Sequence, residues 1–385
     1  MNALILTCNT GEGHNSVSAA VREALLARGQ NCEIVDALSF LPSGASEIIC
    51  GVHVGMYRHM PKAYKTGYRK AETRPMSFEE NSPVRRIVAL GAEKLHAFVE
   101  AGGYDCLICP HVISSLIVTE TMDRYPDMAV QTCNIATDYT CSPMTEDSRL
   151  DWYFVPDEGI AGDFIDAGVP AEKLVCIHGV PVRREFYSRI PGPQARRALG
   201  LPAKARHALM MFGSMGCGPI AKLTELLADA IPRDAYLTVI CGTNDSLEKK
   251  LKKAAAGREN VRIIGYTEDV SLLMDSADIF ITKPGGISTS EAAVKGLPMV
   301  LVDTVASCES YNMRLFCRRG GAVTADTPEE LAELCAELLK DGRRRKMMSE
   351  RLAGRENSAE EVCGKLMEAY PSEDEDGYQT EKATV

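Results

Sequence analysis

Short apolar runs alternate along this chain with segments whose apolar residues recur at every third or fourth position. The runs at 3–7, 32–36, 106–109 and 129–135 are bounded by turn-forming residues and predict strands, and 151–155 and 174–177 predict two more. Helices are predicted between them at 15–28, 84–99, 114–125 and 158–167. The second of these is the clearest, because Val84, Val88, Gly91, Leu95 and Phe98 step by 4, 3, 4 and 3 and so share one face. The alternation breaks over 181–202, where Ile190-Pro-Gly-Pro193 and its neighbours read as a linker. It then resumes with strands at 208–212, 236–241, 261–264, 279–282 and 299–302, and with helices between them, one at 219–231. Thr327-Pro-Glu-Glu330 is a capping box with proline at the first helical position, so a helix starts there.

Strand and helix alternating twice over predict an α/β protein of two doubly wound, Rossmann-like parallel sheets facing each other across a cleft. The first domain is read as 1–182, with a helix at about 345–370 packing back on it, and the second as 183–344. Ligands of such sheets bind beyond the carboxyl ends of the strands, which places the site in the cleft.

Composition narrows the class. At 385 residues, 45% hydrophobic and 25% charged, the chain is globular and long enough for two cores. The net charge is −10, of which −4 falls in 371–385, where Glu373, Asp374, Glu375, Asp376 and Glu381 face Lys382; this tail is expected to be disordered and solvated. The remaining acidic body excludes generic nucleic-acid binding, which needs a basic face. The 14 cysteines are scattered. Cys106 and Cys109 form a C-x-x-C inside a predicted strand, with no second pair at zinc-site spacing, so core thiols in a reducing cytoplasm are expected and no metal. No signal peptide and no run of about 18 apolar residues is present, so no spanning helix is expected.

Three loops carry candidate chemistry. The first, Thr10-Gly-Glu-Gly-His14, follows the first strand; Gly11 and Gly13 let a ligand approach the backbone, and the amides beginning the next helix favour an oxygen or anion. It is not G-x-G-x-x-G, and by itself it also fits a plain glycine turn with an incidental histidine. The second loop holds Gly213, Ser214, Gly216 and Gly218 before a helix and is spaced like a diphosphate cradle. The third, Lys283-Pro-Gly-Gly-Ile-Ser-Thr-Ser-Glu291, turns sharply into a helix whose hydroxyls and Glu291 could meet a ribose diol; here the helix dipole alone would also account for Glu291.

Together these loops resemble the glycosyltransferase family of plant monogalactosyldiacylglycerol synthases and bacterial processive diacylglycerol glucosyltransferases, and more distantly the N-acetylglucosaminyltransferase of the lipid-linked peptidoglycan precursor. The likeness spans about 3–345 and is most specific from Thr282 to Pro298, close to T-K-P-G-G-x-T-x-x-E-A-x-x-x-G-x-P; Thr137-Asp138-Tyr139, Tyr153-Phe-Val-Pro156 and Gly179-Val-Pro181 follow the family order. It implies a GT-B fold and an inverting hexose transfer from UDP-glucose or UDP-galactose to a diacylglycerol-type lipid, with no cofactor beyond the UDP-sugar substrate. It further implies that the diphosphate faces Gly213–Gly218, that Lys283, Gly285, Gly286 and Ser288 line the donor, that Glu291 holds the ribose, and that Glu309 and Asn312 hold the sugar hydroxyls. Cys308 stands where the family usually has glutamine, and Ser142 and Met144 where many members have histidine and tryptophan, so sugar identity and acceptor contacts stay open. The family places a catalytic base at His14; Asp138 could orient that histidine or be the base itself.

The segment 54–74 is basic and aromatic in an acidic protein. Arg58, Lys62, Lys65 and Arg69 step by 4, 3 and 4, and Tyr57 lies among them. Basic residues gain about 1 kcal/mol each at an anionic leaflet, and the resemblance implies that this segment lies by the acceptor opening and docks the chain on the inner face of the membrane; a solvated helix face with inward tyrosines is the plainer alternative. Rival readings are a transferase for a peptidoglycan lipid or a small molecule, a UDP-sugar 2-epimerase, and a catalytically silent nucleotide-sugar sensor.

Overall fold

The protein is described by a computed structural model that covers residues 1–9, 12–42, 44, 66, 83–213, 216, 218–302, 307–354 and 356–368. The first half runs β1 (Asn2–Thr7), α1 (Glu12–Ala27), β2 (Asn31–Asp36), α2 (Pro83–Ala89), α3 (Ala92–Gly102), β3 (Cys106–Cys109), α4 (Val112–Arg124), β4 (Gln131–Ile135), β5 (Trp152–Val155), α5 (Ala161–Ala167) and β6 (Leu174–Cys176). Its strands form one parallel sheet in the order β2-β1-β3-β4-β5-β6. After α6 (Gly192–Ala198) the second half runs β7 (Arg206–Met211), α7 (Ile220–Ala230), β8 (Ala235–Ile240), α8 (Asp245–Ala254), β9 (Val261–Ile264), α9 (Val270–Ser276), β10 (Ile279–Thr282), α10 (Gly286–Val294), β11 (Met299–Leu301), α11 (Ser307–Arg318) and β12 (Ala322–Val323). Its sheet is also parallel, in the order β12-β11-β10-β7-β8-β9. Three helices follow, α12 (Pro328–Lys340), α13 (Gly342–Leu352) and α14 (Ser358–Met367).

The central strands are buried on both faces, as parallel sheets covered by helices must be: Leu4, Ile5, Cys106, Leu107, Ile108 and Cys109 are fully covered. Burial holds the Cys109 thiol up at about 12, so it stays neutral and unreactive. The capping box at Thr327 forms as expected, Thr327 accepting from the Glu330 amide and Glu330 from the Thr327 amide. Helix α14 returns to the first sheet's side, where Arg28 pairs with Glu360 at 2.8 Å and Lys365 lies 4.5 Å over the Trp152 ring.

Three local readings differ. The single helix expected over 84–99 is α2 and α3, separated at Leu90 and Gly91, where a Cβ on Gly91 would come within 3.3 Å of Leu41. The periodicity survives because the turn returns the chain to the same face. The helix expected over 345–370 is likewise two, α13 and α14. And α1 begins at Glu12, which places Gly13 and His14 in its first turn and not in a preceding loop.

Candidate active site

Each sheet changes winding direction once, and the loops on either side of that point diverge to leave a crevice. In the first sheet this lies between β1 and β3. His14 opens the helix after β1, and Pro110 and His111 follow β3, so the sheet order brings the three together. His14 Nδ1 is 2.9 Å from the Pro110 carbonyl and 3.4 Å from the Thr137 hydroxyl, and its ring meets His111 edge-on with centroids 4.5 Å apart. A carbonyl can only accept, so Nδ1 carries a proton, and in the neutral form of the ring the lone pair lies on Nε2. His111 caps α4 by accepting the Ile113 amide on Nδ1 at 3.0 Å, which puts its own proton on Nε2. His111 is not among the sequence-predicted site residues; the one signal that marks it is a histidine closing the third strand ahead of a helix.

In the second sheet the switch lies between β7 and β10, and both remaining loops start there. Gly213 and Gly216 have φ of 70° and 55°, and Gly218 has 131°, values that favour glycine. A Cβ on Gly218 would lie 2.6 Å from the Phe212 ring, and one on Gly213 3.3 Å from Lys283 Cε, so the two loops touch. Helix α7 has no side-chain cap, leaving its first amides to backbone, solvent or ligand.

Helix α10 also lacks a side-chain cap at Gly285. Of the hydroxyls in its first turns, Thr289 bonds the Gly285 carbonyl at 2.8 Å and Ser290 the Gly286 carbonyl at 2.7 Å; Ser288 is half-buried and makes no such back-bond. Glu291 is 8% exposed and its carboxylate has no hydrogen bond or ion pair among the described residues. Burial pushes its pKa up to about 8, the Arg183 charge opposing and Glu185 adding to the rise. Lys283 Nζ pairs with Glu309 Oε1 at 2.9 Å, on the same side of the cleft.

The two domains meet through residues 137–139. Asp138 Oδ1 accepts from the Gly286 amide at 3.2 Å and from Asn312 Nδ2 at 2.6 Å. Asn312 also donates to the Pro284 carbonyl at 2.8 Å and accepts the Tyr139 amide at 2.7 Å. The Tyr139 and Ser290 hydroxyls are 2.7 Å apart. Burial raises the Asp138 pKa to about 6, opposed by the Asn312 hydrogen bond and assisted by the nearby Glu309 charge. Asp138 is expected either to orient His14 or to be the base itself; the Pro110 carbonyl and Thr137 hydroxyl stand against His14 Nδ1, and Asp138 Oδ1 turns to α10 and α11. Gly13 does face the partner domain, its Cβ position lying 3.4 Å from Ile287. Gly11, Ser214, Tyr57, Arg58, Lys62, Lys65, Arg69 and the acidic tail lie outside the described residues.

Residues 14–182 match the family described as monogalactosyldiacylglycerol (MGDG) synthase, and 219–355 match glycosyl transferases group 1. A processive diacylglycerol beta-glucosyltransferase of Bacillus licheniformis is 26% identical over 375 residues, 95% of this chain and 94% of its own. The Bacillus subtilis protein of the same name is 26% identical over 340 residues, 88% and 87%. Among solved structures, Acinetobacter baumannii MurG aligns with a TM-score of 0.63 at 14% identity, over 95% of this chain and 99% of that one. An Anabaena HepE in complex with UDP aligns at 0.58 and 15%, over 96% and 100%. Two switch points opposed across a cleft, in a chain matched over most of its length by these proteins, make it a glycosyltransferase of the GT-B fold whose halves match the monogalactosyldiacylglycerol synthases and the group 1 glycosyl transferases.

Proposed function

We propose that the chain transfers a hexose from UDP-glucose or UDP-galactose to a diacylglycerol-type lipid, with inversion at the anomeric carbon. The observation that carries this reading is the division of labour across the cleft: a histidine with a fixed tautomer on one side, and on the other a buried carboxylate with no partner among the described residues, in a domain with two helix amino ends that lack side-chain caps. His14 Nε2 takes the proton of the acceptor hydroxyl as that oxygen attacks the anomeric carbon and the bond to the UDP oxygen breaks. Glu291 meets the ribose hydroxyls, and the amino ends of α7 and α10, with Lys283, meet the diphosphate charge as it leaves. No metal or organic cofactor enters the scheme. The names of the curated relatives support a diacylglycerol acceptor and glucose, and the UDP bound to a structural neighbour supports the nucleotide.

No helix among the described residues is long and apolar enough to cross a membrane. The lipid is reached, in this proposal, by peripheral docking of the basic segment carrying Tyr57, Arg58, Lys62, Lys65 and Arg69 on the anionic inner leaflet.

UDP release from each donor, with and without diacylglycerol in anionic vesicles, tests the reading. Release with one donor that depends on the lipid is expected; lipid-independent release points to a soluble acceptor or hydrolysis, and silence with both donors removes the reading. His14→Ala should lower kcat by about 10²–10⁴-fold while keeping the Kd for UDP; turnover within tenfold of wild type would remove His14 from the base role.

A further inference from the structure

The family resemblance implies that Asn312 is among the groups that hold the donor sugar, yet its side chain is fully buried and both amide hydrogens are engaged by Asp138 and Pro284. Its carbonyl oxygen holds the Tyr139 amide of the other domain. Around it the turn at 137–139 is seated like a key in the second domain. A Cβ on Gly286 would collide with the Thr137 carbonyl, Tyr139 is 1% exposed, and its ring packs edge-on against Phe316 at 5.0 Å. The carboxylate thus delivered sits on the Gly286 amide, the first residue of α10. A carboxylate there is an internal anion on a positive helix end. On the same helix, one turn further, the Glu291 carboxylate has no partner among the described residues. On this helix a carboxylate of the other domain thus covers the amide end, while the helix's own carboxylate has no such partner among the described residues.

We propose that Asp138 and Asn312 form a clasp across the cleft, in which the Asp138 carboxylate holds the α10 amide that an anionic diphosphate takes when donor binds. The inference rests on the reading of the donor as a nucleoside diphosphate sugar. Donor binding exchanges one anion for another at Gly286, and after transfer the returning Asp138 carboxylate helps displace the nucleoside diphosphate. Asn312 is then a positioning residue: it aims Asp138 at α10 and touches no substrate. Asp138 competes with the leaving product and is not the base.

Calorimetric titration of UDP into wild type, Asp138→Asn and Asn312→Ser decides the matter. Removing the competing charge in Asp138→Asn should tighten UDP by about three- to tenfold, with product inhibition strengthened by the same factor. Asn312→Ser, which releases the carboxylate without removing it, should shift the Kd in the same direction by less. A merely structural role would weaken binding or leave it alone, so an unchanged or raised Kd in Asp138→Asn overturns the clasp. If Asn312→Ser leaves UDP untouched and weakens only the UDP-sugar, Asn312 holds sugar and the positioning role falls. Should wild type bind no UDP at all, it is the donor reading that fails; titration with pyrophosphate then tests the clasp, and an equal Kd in wild type and Asp138→Asn overturns it. Thermal melts of both variants, matched to wild type, confirm that the titrations compare folded proteins.

Discussion

Asp138 and Glu291 are carboxylates set into the same cleft, and burial raises the pKa of both, to about 6 and about 8. Their surroundings differ. Asp138 has two donors from the opposite domain on one oxygen, whereas Glu291 has none among the described residues. A buried polar group without a partner costs roughly 1–3 kcal/mol, and a fold retains such a cost where a ligand removes it. The contrast separates the carboxylate that joins the two domains from the one that, under the proposed function, meets the donor, a distinction that neither residue type nor depth of burial reveals.

The largest effect that would break the comparison is on binding. Glu291→Ala should raise the Kd for UDP by about 10–100-fold, the loss of its two hydrogen bonds to the ribose diol; a change under twofold would mean that Glu291 does not hold the ribose. Next comes the joint. Gly286→Ala forces a Cβ into the Thr137 carbonyl and should destabilise the protein by about 1–3 kcal/mol, read in denaturant melts. If the variant is as stable as wild type, the domains are not seated on each other there.

The smallest effect is the pH dependence of stability. A carboxylate whose folded pKa is raised binds more protons folded than unfolded, so its contribution is full below its ordinary pKa and is lost as pH rises through the folded value. For Glu291 that window runs from 4.5 to about 8, and for Asp138 from 3.8 to about 6. The Tm of Glu291→Gln relative to wild type should therefore climb until about pH 8, and that of Asp138→Asn should level off near pH 6. Two flat differences would dissolve the contrast.

Much of this was legible in the sequence because its signals are local. Glycine and proline punctuate the loops at 213–218 and 283–286, and the apolar runs between them can only be buried strands. His14 announced itself by following the first strand. The pairing of Asn312 with Asp138 did not, since the two lie 174 residues apart and only the folded sheets bring them together. His111 went unseen for a related reason: its contact with His14 depends on the order β1-β3, which periodicity does not supply. The break between α2 and α3 escaped because a glycine at close approach to Leu41 leaves the 4, 3, 4, 3 pattern undisturbed.

Helix α14 has a mechanical consequence. Because it returns to the first sheet, the described chain crosses between domains twice, once after β6 and again between α13 and α14. A body held by one tether can swivel in any direction, whereas two separated tethers leave rotation about the axis through both as the easy motion. Rotation about that axis is the motion this connectivity favours for the cleft. A cut in the segment before α6 would leave the second domain tied at α14, still attached and free to twist.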